Sequence, residues 1–102
     1  MKRIKILARK NLHMSEGKLA AQCVHAALGL YKLAPERHHS CIVLQVSDKK
    51  FEEAIMAISQ RLPDSDLSAP YYVVTDAGYT EVESGTQTCL AFYEEDSVNR
   101  NT

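Results

Sequence analysis

Tryptophan is absent from the 102 residues, phenylalanine occurs twice, and there are only four glycines and three prolines. So few chain breakers exclude collagen-like, mucin-like and low-complexity architectures. With 45% hydrophobic and 25% charged residues, the chain has the composition of a folding globular protein. No apolar run approaches the roughly 18 residues that span a bilayer, and the basic residues 1–10 lack the apolar stretch and small-residue cleavage site of a signal peptide. The expectation is a cytoplasmic protein without a membrane partner. Cysteine is scarce as well. Cys23, Cys41 and Cys89 are odd in number, widely spaced and form no CxxC pair, which argues against a disulfide framework or a zinc site. They read as reduced, mostly buried thiols. His38, His39 and Cys41 stand too close together for a known ligand spacing, so no metal is expected.

The length is that of one domain, residues 1–102, with an acidic, polar tail over 94–102. A formal net charge of −1 conceals a division. Residues 1–33 carry Lys2, Arg3, Lys5, Arg9, Lys10, Lys18 and Lys32 against Glu16 alone, a net of +6, whereas residues 34–102 sum to −7. Two readings are open: a basic surface that meets a polyanion, or basic and acidic segments that pair with one another in the fold.

The apolar pattern gives the order β-α-β-α-β-β. Residues 4–9 (IKILAR) have strand density, Ser15 is an N-cap candidate, and an Ala/Leu-rich helix runs from Glu16 to about Leu33 before Pro35 stops it. Residues 40–46 (SCIVLQV) form a continuous apolar run of the kind expected in the middle of a sheet covered on both faces. Ser47 caps a second helix whose stripe is Phe51, Ala54, Ile55, Ile58 and Leu62, closed by Pro63. Residues 71–75 form the third strand, Asp76-Ala77-Gly78 a turn, 79–83 a short extended piece, Ser84-Gly85 a second turn, and 87–93 the last strand. The expected fold is α/β: one mixed four-stranded sheet with helices packed on it. In such sheets ligands bind beyond the carboxyl ends of parallel strands, which directs attention to the loop before the first helix and to the Asp76 turn.

The first helix is the informative element. At about 100° per residue, Lys18, Gln22, His25 and Gly29 share one narrow stripe while almost every other direction is apolar. Such a helix is expected to lie between the sheet and something else, with its polar stripe in a wet crevice or a buried polar network. Lys18 sits in the first turn, where the macrodipole disfavours a cation, so its charge suits an anion or a nearby carboxylate. His25 as a satisfied core histidine and Gln22 as a spacer to a loop are open alternatives. Asp76 and Thr80 could equally close their turn.

The run Gly17-Lys18-Leu19-Ala20-Ala21-Gln22-Cys23-Val24-His25-Ala26-Ala27-Leu28-Gly29, followed by Tyr31, resembles the GK-[IL]-A-A-Q-C-x-H-A-x-x-G signature of the archaeal and eukaryotic type of peptidyl-tRNA hydrolase. Asp76-Ala77-Gly78-x-Thr80-x-Val82 and Gly85-Thr86-x-Thr88 resemble that family's D-A-G-R-T-x-[IV] and G-T-x-T blocks, in the same order. The likeness runs from Ile4 to about Tyr93. It implies hydrolysis of the ester joining a peptide to the 3′ ribose of tRNA, with tRNA rather than DNA as partner, a homodimer as the frequent assembly, and no metal or organic cofactor. Carried over by position, it places Lys18, Asp76, Thr80 and Thr86 in the catalytic set and Gln22 and His25 beside them. Tyr79 stands where the family usually has Arg, and its ring could stack on a terminal base. Glu81 adds negative charge nearby, and the segment after Tyr93 departs from the family's usual Gly/Pro continuation. The competing reading is a module that kept the fold, lost turnover and binds RNA ends or a protein.

Overall fold

Every second residue of β1, Lys2–Arg9, points to the same side of the sheet, and the strand is apolar on both. Ile4, Ile6 and Ala8 face one helix and Leu7 the other, so β1 must lie inside the sheet. The computed structural model describes residues 1–60, 70–78 and 82–95. In it β1 is followed by a single 3₁₀ turn, Lys10–Leu12, then α1 (Glu16–Leu33), β2 (Cys41–Val46), α2 (Asp48–Ser59), β3 (Tyr71–Thr75) and β4 (Gln87–Glu95). The expected mixed four-stranded sheet is present in the order β2-β1-β4-β3, with β1 parallel to β2 and antiparallel to β4, and β4 antiparallel to β3.

Both helices begin where capping chemistry directs. The side chains of Ser15 and Ser47 accept hydrogen bonds from the backbone N–H of Lys18 and Lys50, each satisfying one of the donors left open at a helix start. Ala26 and Leu30 of α1 pack on Ile4, Ile6, Ala8, Val74, Cys89, Ala91 and Tyr93. Phe51 and Ile58 of α2 pack on Leu7 and Leu90 from the other side. The Tyr93 hydroxyl donates to the carbonyl of Ala34 at 2.7 Å, fastening the end of α1 to β4. Among the described residues, no helix is long and apolar enough to cross a membrane.

Several expectations change. The apolar run of β2 is an edge strand, not a central one: Val43 and Leu44 are each 44% exposed, and Cys41 is exposed with them. The cause is topological, because β4 inserts between β1 and β3 and α1 lies over β3 and β4 rather than over β2. The thiols are therefore not uniformly buried; Cys89 is, Cys23 only in part. Strand β4 runs on through Glu95, taking two residues from the expected tail. Of the extended piece expected at 79–83, residues 79–81 lie outside the described residues, and Val82 and Glu83 belong to no strand. Leu62, Pro63 and the tail from 96 onward also lie outside them.

Candidate functional site

The charge division resolves mostly by internal pairing. Lys2 meets Glu36, Arg3 and Lys5 share Glu94, Arg9 meets Asp48, and Lys18 meets Asp76. Most of these pairs hold the strand ends at the rim, where ion pairs contribute little. The Lys18–Asp76 pair differs: its side chains are only 11% and 5% exposed.

Two local devices produce that pair. Lys18 is fixed by the capped first turn of α1. Asp76 lies just past β3 and keeps the alternation of that strand, two residues beyond Val74, which faces α1. Its backbone is locked to the following turn, with Asp76 N–H donating to the Thr86 carbonyl and Gly85 N–H donating to the Asp76 carbonyl, both at 2.8 Å. The carboxylate accepts from Lys18 Nζ at Oδ1 and from the Gly78 N–H at Oδ2, the latter at 2.6 Å. Hydrogen bonding from Lys18, then from the Gly78 amide, holds the Asp76 carboxyl below its ordinary range against the opposing effect of burial. Gly78 has φ of +84°, the left-handed region that a glycine adopts without strain.

The pair stands in the wall of a cleft of about 340 Å³ lined by Lys18, Gln22, His25, Val74, Thr75, Asp76 and Ala77. Gln22 is buried, and His25 lies on the exposed side. Gln22 is tied down by a residue outside the expected set: the hydroxyl of Thr88, itself fully buried, donates to Gln22 Oε1. Strict alternation would turn Thr88 to the α2 face, because Cys89 faces α1. The register slips between β3 and β4, so that Val74 pairs with Cys89 and Thr75 with Gln87. This bulge leaves Thr88 the extra residue and lets its side chain reach α1. With the amide oxygen occupied by a donor, the NH₂ of Gln22 is the group left to donate elsewhere.

The structure thus brings Lys18, Gln22, His25 and Asp76 to one cleft. Thr86 meets Asp76 through backbone atoms, and its side chain is not among the lining groups. Tyr79 and Thr80 lie outside the described residues. Thr88 belongs to the G-T-x-T block, yet nothing in residue type or spacing separates it from Thr86. Among the described residues, no group of three or more His, Cys, Asp or Glu side chains is gathered as a metal site.

Comparison with known proteins bears on the same residues. The family model described as peptidyl-tRNA hydrolase PTH2 matches residues 3–102, reaching past Tyr93 to the last residue. The chain is 34% identical to "Peptidyl-tRNA hydrolase" of Methanopyrus kandleri over 95% of this chain and 90% of that one. It is 33% identical to "Peptidyl-tRNA hydrolase" of Methanothermobacter thermautotrophicus over 89% and 84%. It is 31% identical to "Probable peptidyl-tRNA hydrolase 2" of Caenorhabditis elegans, over 86% of this chain and 30% of that longer one.

Proposed function

Since the chain belongs to the peptidyl-tRNA hydrolase PTH2 family, we propose that it hydrolyses the ester between a peptide and the 3′ ribose of tRNA and so returns free tRNA to translation. The observation that carries the reading is the Lys18–Asp76 ion pair in the wall of the cleft beside Gln22. An ester is an activated acyl group, so its hydrolysis asks for a placed water, compensation for the oxyanion and a hold on the RNA.

In the reaction a water oxygen bonds to the ester carbonyl carbon, the bond from that carbon to the ribose oxygen breaks, and the ribose oxygen leaves with a proton. Asp76 accepts a hydrogen bond from the water and orients it. A carboxylate held below its ordinary range is a weak proton sink, so its contribution is orientation more than storage of the proton. The Lys18 ammonium has three donors, of which one goes to Asp76, leaving two for the developing oxyanion. Gln22 donates its NH₂ to the acyl or ribose end, and His25 lines the way in. Thr86 braces Asp76 through the backbone, and the family resemblance adds Thr80 to the catalytic set and Tyr79 to the groups that meet the substrate. Neither a metal nor an organic cofactor enters the scheme, and the setting is the cytoplasm, where tRNA is used.

Release of labelled peptide from peptidyl-tRNA by the purified chain tests the proposal. Turnover that falls with Lys18→Ala supports it. RNA that is bound, with affinity falling steeply as salt rises, but never cleaved would replace it with the binding-module reading, which the family match does not favour.

A further inference from the structure

Strand β3 ends the sheet on one side, and among the described residues only β4 pairs with it, so its other edge is open. Native chains blunt such an edge with charge, proline or a bulge. Here the strand reads Tyr-Tyr-Val-Val-Thr, without charge or proline, and the extra residue of the bulge is Thr88 on β4, not a residue of β3. The inner edge is fixed by its partners. Asp76 directs both its N–H and its carbonyl to the turn before β4, and the Val74 carbonyl accepts from the Thr88 hydroxyl at 3.5 Å. Successive residues of an extended strand turn their backbone groups to opposite edges, so Thr75, Val73 and Tyr71 turn theirs outward. That row of donors and acceptors runs into the cleft, where Thr75 is a lining residue and Asp76 the next one.

Resting on the hydrolase reading, we propose that this edge receives the peptide of a peptidyl-tRNA as an added strand parallel to β3, which delivers the ester carbon to Lys18 and Asp76. Direction follows from the chemistry. The ester is the carboxyl end of the peptide and must lie at Asp76, just past the end of β3, so the rest of the peptide runs back toward Tyr71. In a parallel pair each outward residue both donates and accepts. The Val73 N–H donates to one peptide carbonyl, and the Val73 carbonyl accepts from the peptide N–H two residues further on. At about 3.3 Å per residue, Val73 lies about 10 Å back from Asp76, so a one-residue acyl group cannot reach it and a peptide of four or five residues does. Backbone bonds are the recognition that every peptide offers whatever its side chains, and the ester does not fix the sequence of the peptide it carries. RNA does not suit this edge, because β3 has no cation to offer a phosphate. The opposite edge, β2, is equally uncharged, but two strands separate it from β3 and none of its residues lines the cleft.

Peptide release from N-acetylated oligoalanyl-tRNAs of increasing length tests this. Between one residue and about five, kcat/KM is expected to rise about 10-fold or more as the bonds to Thr75, Val73 and Tyr71 form, and then to level off where β3 ends. Methylating one peptide nitrogen at a time should lower that gain at alternate positions only, those whose N–H faces β3. Val73→Pro removes an N–H that β4 does not use, a change that an edge strand accommodates, and should remove most of the gain. Turnover independent of peptide length, a loss at every methylated position or at none, or an undiminished gain in folded Val73→Pro overturns the added strand while leaving hydrolysis in place. Should Val73→Pro fail to fold, the methylation pattern decides. A chain that cleaves no peptidyl-tRNA fails the hydrolase reading instead. The same peptides joined to tRNA by a 3′ amide then report length dependence as binding, and affinity that does not rise with length overturns the proposal.

Discussion

Lys18 donates from Nζ to Oδ1 of Asp76, a carboxylate 58 residues further along the chain and carried on a different element. The two meet because a capped helix start and a strand end open on the same cleft, and both charges are nearly buried. If each acts on the reacting atoms, removing either should cost about 10²-fold or more in turnover. Lys18→Ala and Asp76→Asn are therefore expected to lose at least that much kcat. The double variant should lose little more than either single one, since each member loses its partner in the other's absence. Initial-rate peptide release with circular dichroism as the folding control measures it. Near-normal turnover in both folded single variants would remove the mechanism.

Thr88 and Gln22 make a second, wholly buried pair. Thr88→Val keeps the shape but leaves the Gln22 amide oxygen without its donor, a loss of about 1–3 kcal/mol. It also frees the amide to rotate, so turnover should fall along with stability. Thr88→Ser, which keeps the hydroxyl, should restore most of the activity. Urea midpoints and peptide release on the two variants separate a positioning hydroxyl from a methyl that merely fills space.

Much of this arrangement was legible from residue patterns. The caps at Ser15 and Ser47 and the polar stripe of α1 are local features, and they mark element starts and faces without knowledge of the partner. Lys18 in an unfavourable first turn asked for an anion, and Asp76 supplies it. What escaped is non-local. The apolar run of β2 suggested a central strand, but strand order depends on which later strand inserts beside β1, and here it is β4. Thr88 escaped for a related reason: alternation assigns it to the wrong face, and the bulge that reverses it shows only in the register between β3 and β4. The outer side of α1 was expected to be covered, yet Val24, Leu28 and Tyr31 are exposed, because hydropathy does not say which sectors of a helix the rest of the fold reaches.

Gly29 tests how closely α1 must approach β3. A Cβ there would fall 2.3 Å from Cε2 of the Tyr72 ring, far inside contact distance. The ring is partly exposed and has some freedom to turn, but its Cδ2 and Cζ lie within 2.6 Å as well. Gly29→Ala should therefore cost about 1–3 kcal/mol through overpacking, despite alanine's better helix propensity. It should also widen the gap between α1, which carries Lys18, and β3, whose end leads directly into Asp76. Adding Tyr72→Val should recover much of the stability. A Gly29→Ala chain as stable as the wild type would mean that the ring yields freely.

Acid should loosen the fold from its rim, and Glu94 is the group that tests this. Its burial raises the carboxyl, but hydrogen bonds from Arg3 and Lys5 outweigh that and hold it below the ordinary glutamate range. The ordinary value, about 4.3, describes the unfolded chain. Between the two values the unfolded chain binds more protons than the folded one, so stability falls as pH is lowered. The contribution of Glu94 is complete above the unfolded value and is lost as pH drops through the folded one. Asp76, also lowered, acts in the same direction. Urea unfolding at pH 6 and again near pH 3 should show a marked loss in the wild type. Glu94→Gln should start lower at pH 6, because Arg3 and Lys5 lose their ionised acceptor, and should lose less on acidification, because one linked proton is gone. The Arg3 and Glu94 side chains are about a quarter exposed, so added salt should narrow the difference between the two proteins at pH 6. Equal losses in both on acidification would place the acid sensitivity on other carboxylates.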